Sequence, residues 1–139
     1  MPRRQKSAGL FITQVYTMKL VIFGSRTIED MQAVEDAMEA CGRASQVTEI
    51  VSGGARGVDR LGERYARQRG IHCKVFPAQW EKYGKSAGVI RNGKMAAYAD
   101  YGVAIWDGES RGTAHMVRLM EGRVFVWKMD ARQSCGSKF

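Results

Sequence analysis

Short apolar runs recur along the chain, with almost no polar residue inside them. Four are clear and the fifth is weaker: KLVIF (19–23), EIVS around Val51, VAIW (103–106), VFVW (124–127) and the weaker CKVF (73–76). A strand with one solvated face alternates apolar and polar residues, whereas an unbroken apolar strand is buried on both faces, as in a parallel sheet. The runs therefore predict a parallel sheet of about five strands.

Helical patterns fill the segments between these runs. The predicted helices extend from a cap at Thr27 to Gly42, from Gly57 to Gly70, from about Gly88 to Ala99, and from Gly112 to Gly122. Strict alternation of strand and helix with right-handed crossovers predicts a doubly wound α/β fold of three layers. The connection over residues 77–87 is the one irregular stretch, and connections of that length are often functional.

A length of 139 residues predicts one domain, which we place at residues 18–129. It follows a basic N-terminal arm, residues 1–17, and precedes a C-terminal tail, residues 130–139. The formal net charge of +8 is concentrated in these ends. Short basic clusters are usually solvated, so binding of nucleic acid by the tails is the less favoured interpretation.

Cysteine usage and hydropathy restrict the other classes of function. The three cysteines are widely spaced, and the two histidines, His72 and His115, lie far apart. Zinc sites usually need closer ligand spacing, so no metal site is predicted, and reduced thiols in a cytoplasmic protein are expected. No apolar stretch approaches the ~20 residues that span a bilayer, so no membrane partner is expected.

Glycine and arginine occur together directly after three of the predicted strands. The segments are GSRT with Arg26, SGGARGVDR with Arg56, and DGESRGTAH with Arg111. Ligands of doubly wound sheets bind beyond the carboxyl ends of the strands. Glycine lets backbone amides approach a ligand, helix N-termini attract anions, and arginine binds phosphate in a bidentate manner. We therefore expect the three arginines to converge on one anion site. The alternative is that the glycines form turns and the arginines pair with Asp59, Asp107 or Glu109.

Three further residues allow two interpretations each, and a fourth has one. Asp59 either stabilises the dipole of its helix or contacts a ribose hydroxyl, and Thr113 either bonds a phosphate or caps its helix. Trp80, beside Tyr83, either stacks on a nucleobase or fills the core at the sheet end; Tyr83 is a second stacking candidate.

These motifs, together with FPAQWEKYGKSAGVIRNGKM, follow one family's pattern in order. From about Lys19 to Val126 the chain resembles the YspA-like (YAcAr) branch of the SLOG superfamily, whose relatives include the Lonely Guy phosphoribohydrolases and DprA. The resemblance implies a Rossmann-like fold that binds a nucleotide-derived small molecule. It also implies which residues contact the ligand: Gly24, Ser25, Arg26, Ser52, Gly53, Gly54, Arg56, Gly57, Asp59, Arg91, Asn92, Ser110, Arg111, Gly112 and Thr113.

The chain departs from the Lonely Guy pattern at one position. Met116 stands where those enzymes have their catalytic glutamate, so cleavage by their mechanism is in doubt and no catalytic residue is assigned. Glu63, Asp59 and Asp107 are the acids left open as substitutes. The expected function is binding of an ADP-ribose-like ligand or a nucleoside phosphate by a sensor or binding module.

Two alternative functions remain, a nucleoside monophosphate phosphoribohydrolase and a DprA-like single-stranded nucleic-acid binder. No cofactor is required in any of the three, apart from the nucleotide-derived ligand itself. The resemblance also allows a homodimer and suits a bacterial or phage protein.

Overall fold

The computed structural model describes residues 17–129, in which strands and helices alternate. The strands are β1 (Lys19–Gly24), β2 (Glu49–Ser52), β3 (His72–Val75), β4 (Tyr101–Trp106) and β5 (Val124–Lys128). The helices are α1 (Met31–Cys41), α2 (Val58–Arg69), α3 (Trp80–Tyr83), α4 (Ala87–Tyr98) and α5 (Arg111–Leu119). Residues 1–16 of the predicted arm and the whole predicted tail lie outside the described residues.

The strands form one parallel sheet in the order β3-β2-β1-β4-β5. The chain adds β2 and then β3 on one side of β1, and afterwards β4 and β5 on the other side. The strand order therefore reverses between β1 and β4. Ligands of such sheets bind at this switch point, beyond the carboxyl ends of the two strands. The predicted Rossmann-like α/β fold is confirmed.

Side chains of β1 alternate between two apolar layers, as the period of a strand requires. Leu20 and Ile22 pack with α1 and α2 on one face of the sheet. Val21 and Phe23 pack with residues of α4 and α5, among them Met95, on the other face. Burial of one such apolar side chain stabilises the folded state by about 1.5–3 kcal/mol, so packing against the sheet holds the helices on both of its faces. The three-layer arrangement is therefore confirmed.

Two of the three helix ends that were predicted at glycines are confirmed. Gly42 and Gly70 end α1 and α2 in the left-handed conformation. The predicted end at Gly122 is wrong, because α5 stops at Leu119 and the chain leaves the helix at Met120, which is fully buried in the core.

The N-terminal cap of α1 also differs from the prediction. The predicted Thr27 cap is wrong, because α1 begins three residues later and Asp30 accepts a hydrogen bond from the Gln32 amide. Asp30 is the better cap because its carboxylate accepts strongly at the positive helix end.

The connection between β3 and α4 is partly helical. Trp80–Tyr83 forms the single turn α3, and a 3₁₀ turn follows at Gly84–Ser86. The alternative in which Trp80 fills the core is wrong, because its side chain is 52% exposed. Within residues 17–129, the helices are too short or too polar to cross a membrane.

Candidate ligand-binding site

Three strand-to-helix junctions are joined at Ser25, directly after β1. Its amide donates to Ile105 O at 3.1 Å, its carbonyl accepts from the Val58 amide at 3.3 Å, and its hydroxyl accepts from the Asp107 amide at 3.0 Å. The residue is 1% exposed. Ser25, predicted as a ligand contact, therefore holds the loops after β1, β2 and β4 together.

The loop after β2 is fixed by buried groups in the same way. Ser52 is fully buried, and its hydroxyl donates to Glu63 Oε2 at 2.7 Å and accepts from the Gly54 amide at 3.0 Å. Gly57 has φ +79°, and a Cβ there would lie 2.5 Å from Ser25 O. Glycine is required at this position both by the conformation and by the close backbone contact. Ser52 and Gly57 thus shape the loop from behind.

The loop after β4 is a turn built on Asp107. Its carboxylate accepts from the amides of Glu109 at 2.8 Å and Ser110 at 3.0 Å. Partial burial acts to raise the pKa of Asp107, but these bonds outweigh it and hold the pKa below its usual value. Ser110 caps α5 by accepting from the Thr113 amide, and the Thr113 hydroxyl donates to Ser110 Oγ at 2.9 Å. The alternative in which Thr113 caps its helix is therefore wrong.

A small cleft of about 70 Å³ opens between the carboxyl ends of β1 and β4. We call it the inner cleft. Its lining comes from the end of β1, from the loops after β1, β2 and β4, and from helices α2, α4 and α5. The lining residues are Phe23, Gly24, Arg26, Ala55, Asp59, Arg91, Asn92, Met95, Ser110, Gly112, Thr113 and Met116.

A larger and more open cleft of about 480 Å³ lies beside it, towards β3. We call it the outer cleft. Its lining residues are Arg26, Gly53, Gly54, Ala55, Arg56, Arg60, Val75, Pro77, Ala78, Trp80 and Arg91. Arg26, Ala55 and Arg91 line both clefts, so the two adjoin along these residues.

Arg91, near the start of α4, is held by two protein acceptors. Its Nη1 donates to Gly53 O at 2.5 Å, and its Nε donates to Asn92 Oδ1 at 3.1 Å. Burial lowers the pKa of Arg91, and the nearby Asp59 partly opposes that shift. A Cβ at position 53 would lie 2.7 Å from Arg91 Nη1 and 2.8 Å from Asp59 Oδ2. The glycine therefore lets both charged side chains approach the loop.

Asp59 lies in the first turn of α2 and is 6% exposed. Its Oδ2 accepts from the Ala55 amide at 3.2 Å. Burial raises the pKa of Asp59 to about 6, although the Ala55 hydrogen bond and the charges of Arg91 and Arg26 act to lower it. The inner cleft thus contains a carboxyl group whose pKa, at about 6, lies well above its ordinary value.

Asn92 joins α4 to the beginning of α5. Its side chain is 7% exposed, and Nδ2 lies 3.3 Å from Gly112 O and 3.2 Å from His115 Nδ1. The side-chain amide of Asn92 donates to Gly112 O and His115 Nδ1 and accepts from Arg91 Nε, so it fixes the far wall of the inner cleft. His115 was not predicted as part of the site, since twenty-three residues separate it from Asn92 in sequence.

The predicted ligand contacts divide among several places. Eight line the inner cleft: Gly24, Arg26, Asp59, Arg91, Asn92, Ser110, Gly112 and Thr113. Arg56 and Trp80 line the outer cleft with Gly53 and Gly54. Tyr83 instead lines a third cleft of about 260 Å³, next to Lys74 and Lys94, so the two stacking candidates do not face one space.

The expected convergence of three arginines needs a correction. Arg26 and Arg56 share the outer cleft, whereas Arg111 is exposed at the first position of α5 and lines neither cleft. Arg91 of α4 occupies the shared wall instead. The alternative in which the loop arginines pair with Asp59, Asp107 or Glu109 is also wrong, because residues 17–129 contain no such ion pair.

Sequence reasoning missed Arg60 and Met95. Arg60 lines the outer cleft and donates to Gly54 O at 3.3 Å, and its place as the last residue of the SGGARGVDR segment was the available signal. Met95 lines the inner cleft while packing in the core, and its helical spacing gave no sign of that. Within residues 17–129, no group of three or more His, Cys, Asp or Glu side chains is arranged to hold a metal ion.

Comparison with known proteins gives two matches. The model of the YspA, cpYpsA-related SLOG family matches residues 18–83, a range that includes the loops after β1 and β2 and ends in α3. The Gene 61 protein of Mycobacterium phage D29 is 39% identical over 107 residues, which cover 72% of this chain and 86% of that protein. The second match agrees with the expected phage or bacterial origin.

Proposed function

Since the chain belongs to the YspA, cpYpsA-related SLOG family, we propose that it binds a nucleotide or nucleotide-derived ligand, ADP-ribose-like or a nucleoside phosphate. The binding site is the pair of adjoining clefts at the carboxyl edge of the sheet, and the protein acts as a sensor or binding module. The observation that carries the proposal is the pair of arginines, Arg26 and Arg91, that lines both clefts at the switch point.

The charges at this junction favour an anion. Arg91 uses Nη1 and Nε on protein acceptors, and among the described residues no hydrogen bond reaches its Nη2. Guanidinium groups bind phosphate strongly because the bonds are charge-assisted. Gly112 and Thr113 in the first turn of α5 line the inner cleft, so the positive end of that helix adds to the potential.

The outer cleft offers a surface for a base. Trp80 is 52% exposed there, and Arg56 and Arg60 line the same cleft. Stacking of a base on an aromatic side chain is worth about 1–3 kcal/mol in single-stranded nucleic-acid complexes. A bound nucleotide would therefore place its base against Trp80, next to the arginines of the same cleft.

Isothermal titration calorimetry tests the proposal with AMP, ADP, ADP-ribose and a single-stranded oligonucleotide. We expect at least one of the three small nucleotides to bind. Arg91→Ala should weaken that binding by about 10–100-fold, because a charge-assisted hydrogen bond contributes about 1.5–3 kcal/mol. Arg64→Ala is the matched control, since Arg64 is exposed on α2 and lines neither cleft.

Failure of all three nucleotides to bind would contradict the proposal. Binding of the oligonucleotide alone would also contradict it, and would favour the nucleic-acid binder instead. A steep loss of oligonucleotide affinity with salt would support that outcome, because neutralised phosphates release counterions.

A second candidate function, hydrolysis of the N-glycosidic bond, is favoured by one feature of the inner cleft. Among the described residues that line it, Asp59 is the one carboxylate, while Met116 is 1% exposed in the same lining. Glu63 bonds Ser52 and Asp107 forms a turn, so a hydrolase would depend on Asp59. Release of free base from AMP, lost in Asp59→Asn, would support it, and intact AMP after long incubation would exclude hydrolysis of that nucleotide.

A further inference from the structure

Asp59 is a buried carboxylate with one oxygen that lacks a protein partner. The side chain is 6% exposed and lines the inner cleft. The Ala55 amide donates to Oδ2 at 3.2 Å, and within residues 17–129 no hydrogen bond reaches Oδ1. Buried polar atoms are almost always hydrogen-bonded, so this oxygen indicates a donor that the protein itself does not supply.

The neighbouring arginines do not satisfy that oxygen. Arg26 and Arg91 both lower the pKa of Asp59 through their charges, yet neither forms an ion pair with it in the described part of the chain. All three side chains line the same cleft. A hydroxyl group fits between such partners because it donates to a carboxylate and accepts from a guanidinium at the same time.

The two clefts differ in charge in a way that orients a ligand. The described lining of the outer cleft contains four arginines, Arg26, Arg56, Arg60 and Arg91, and no carboxylate. The inner cleft has two of these arginines, Arg26 and Arg91, but it also contains Asp59. Asp59 repels a phosphate and offsets part of the attraction of the arginines and of the α5 N-terminus, whereas a phosphate in the outer cleft meets positive charge alone.

We infer that the vicinal 2′- and 3′-hydroxyls of a ribonucleotide occupy the inner cleft and donate to Asp59, while its phosphates lie on the arginines of the outer cleft. This inference rests on the proposed function and adds to it the sugar and the direction of the ligand. Ribonucleotides should be preferred over 2′-deoxyribonucleotides, and diphosphates over monophosphates.

Calorimetry with two matched pairs tests the inference: AMP with 2′-deoxy-AMP, and ADP with 2′-deoxy-ADP. We expect each deoxynucleotide to bind about 10–100-fold more weakly, because it lacks a hydroxyl that hydrogen-bonds a charged group. ADP should bind more tightly than AMP. In Asp59→Asn, the acceptor for the Ala55 amide is kept but the charge is removed, so the members of each pair should bind with nearly equal affinity.

Asp36→Asn is the matched control. Asp36 is an exposed carboxylate on α1 and lines neither cleft, so the preference for ribose should persist. Circular dichroism and a thermal transition verify that both variants are folded. Equal binding of ribo- and deoxyribonucleotides by the unmodified protein would overturn the inference and leave nucleotide binding intact. A ribose preference that survives in Asp59→Asn would overturn it too, and failure of every nucleotide to bind would overturn the proposed function as well.

Discussion

The inner and outer clefts share Arg26 and Arg91 but are built in opposite ways. The inner cleft is lined by buried polar groups such as Asp59, Asn92 and Thr113, from three different helices. The outer cleft is lined largely by exposed side chains from two short stretches of chain, residues 53–60 after β2 and residues 75–80 at the end of β3 and beyond it.

This difference predicts separate roles for the two clefts, selection of the ligand by the inner cleft and attraction of the ligand by the outer cleft. Buried polar groups are fixed by their partners and penalise a ligand that leaves one of them unbonded. Exposed arginines act mainly through their charge, which attracts anions but is screened by salt. We therefore expect changes in the inner cleft to alter stability and ligand choice, and changes in the outer cleft to alter affinity and its dependence on salt.

The largest effect should come from Asp59→Asn, measured on stability in the absence of ligand. Because the folded-state pKa of Asp59 is about 6 against an ordinary 3.8, the folded protein binds this proton more tightly than the unfolded chain. Its ionisation therefore lowers the free energy of unfolding as the pH rises between those values. Removing the charge should raise the free energy of unfolding by up to about 3 kcal/mol above pH 7.

This gain in the free energy of unfolding should vanish near pH 4, where the wild-type Asp59 carboxyl is already protonated in the folded state. Urea unfolding at pH 4 and pH 7.5 measures both values. Asp36→Asn serves as control, since Asp36 is exposed on α1, and should change stability by less than about 0.5 kcal/mol. An equal effect of Asp59→Asn at both pH values would contradict the burial penalty assigned to the inner cleft.

Trp80→Ala should give the next largest effect, on affinity alone. If a base stacks on this exposed indole, its removal should weaken nucleotide binding by about 1–3 kcal/mol. Trp80→Phe should retain most of the affinity because it keeps an aromatic face. The free energy of unfolding should hardly change, since the side chain is 52% exposed. Unchanged affinity in Trp80→Ala would show that the base lies elsewhere.

Arg56→Ala should give the smallest effect and the clearest salt dependence. An exposed charge contributes about 0.2–1 kcal/mol, so the affinity should fall only a few-fold at low salt and hardly at all at high salt. Titrations in low and high NaCl measure this, with Arg118→Ala on α5 as the control. An equal loss of affinity at both salt concentrations would show that Arg56 forms a specific bond with the ligand. It would contradict the expectation that the outer cleft acts mainly through its charge.

Much of the fold could be predicted because its signals are local. Unbroken apolar runs mark all five strands, but only the central strands β1, β2 and β4 are largely buried, because β3 and β5 lie at the edges of the sheet. Gly42 and Gly70 mark helix ends through their backbone conformation. Thr27 was the wrong cap because the chain stays non-helical for three further residues, with Ile28 buried in the core. Capping preference cannot reveal where tertiary packing delays a helix.

The site was predictable as a set of loops but not side chain by side chain. Gly24 and Arg26 follow β1 and line the inner cleft, as the strand-end rule predicts. Ser25 lies between them yet is buried, because its groups bond Ile105, Val58 and Asp107. Those partners come from distant parts of the chain, so no local pattern reveals them.

The sequence by itself determined the order of strands and helices, the glycine-rich turns and the edge of the sheet at which the two clefts open, because each depends on residues that are close in the chain. Only the tertiary structure decided that Arg91 replaces Arg111 at the shared wall and that Asp59 is buried with one oxygen unpartnered. The physical reason is that burial and charge at one point depend on every element that packs there. α2, α4 and α5 meet at the inner cleft although many residues separate them in the chain.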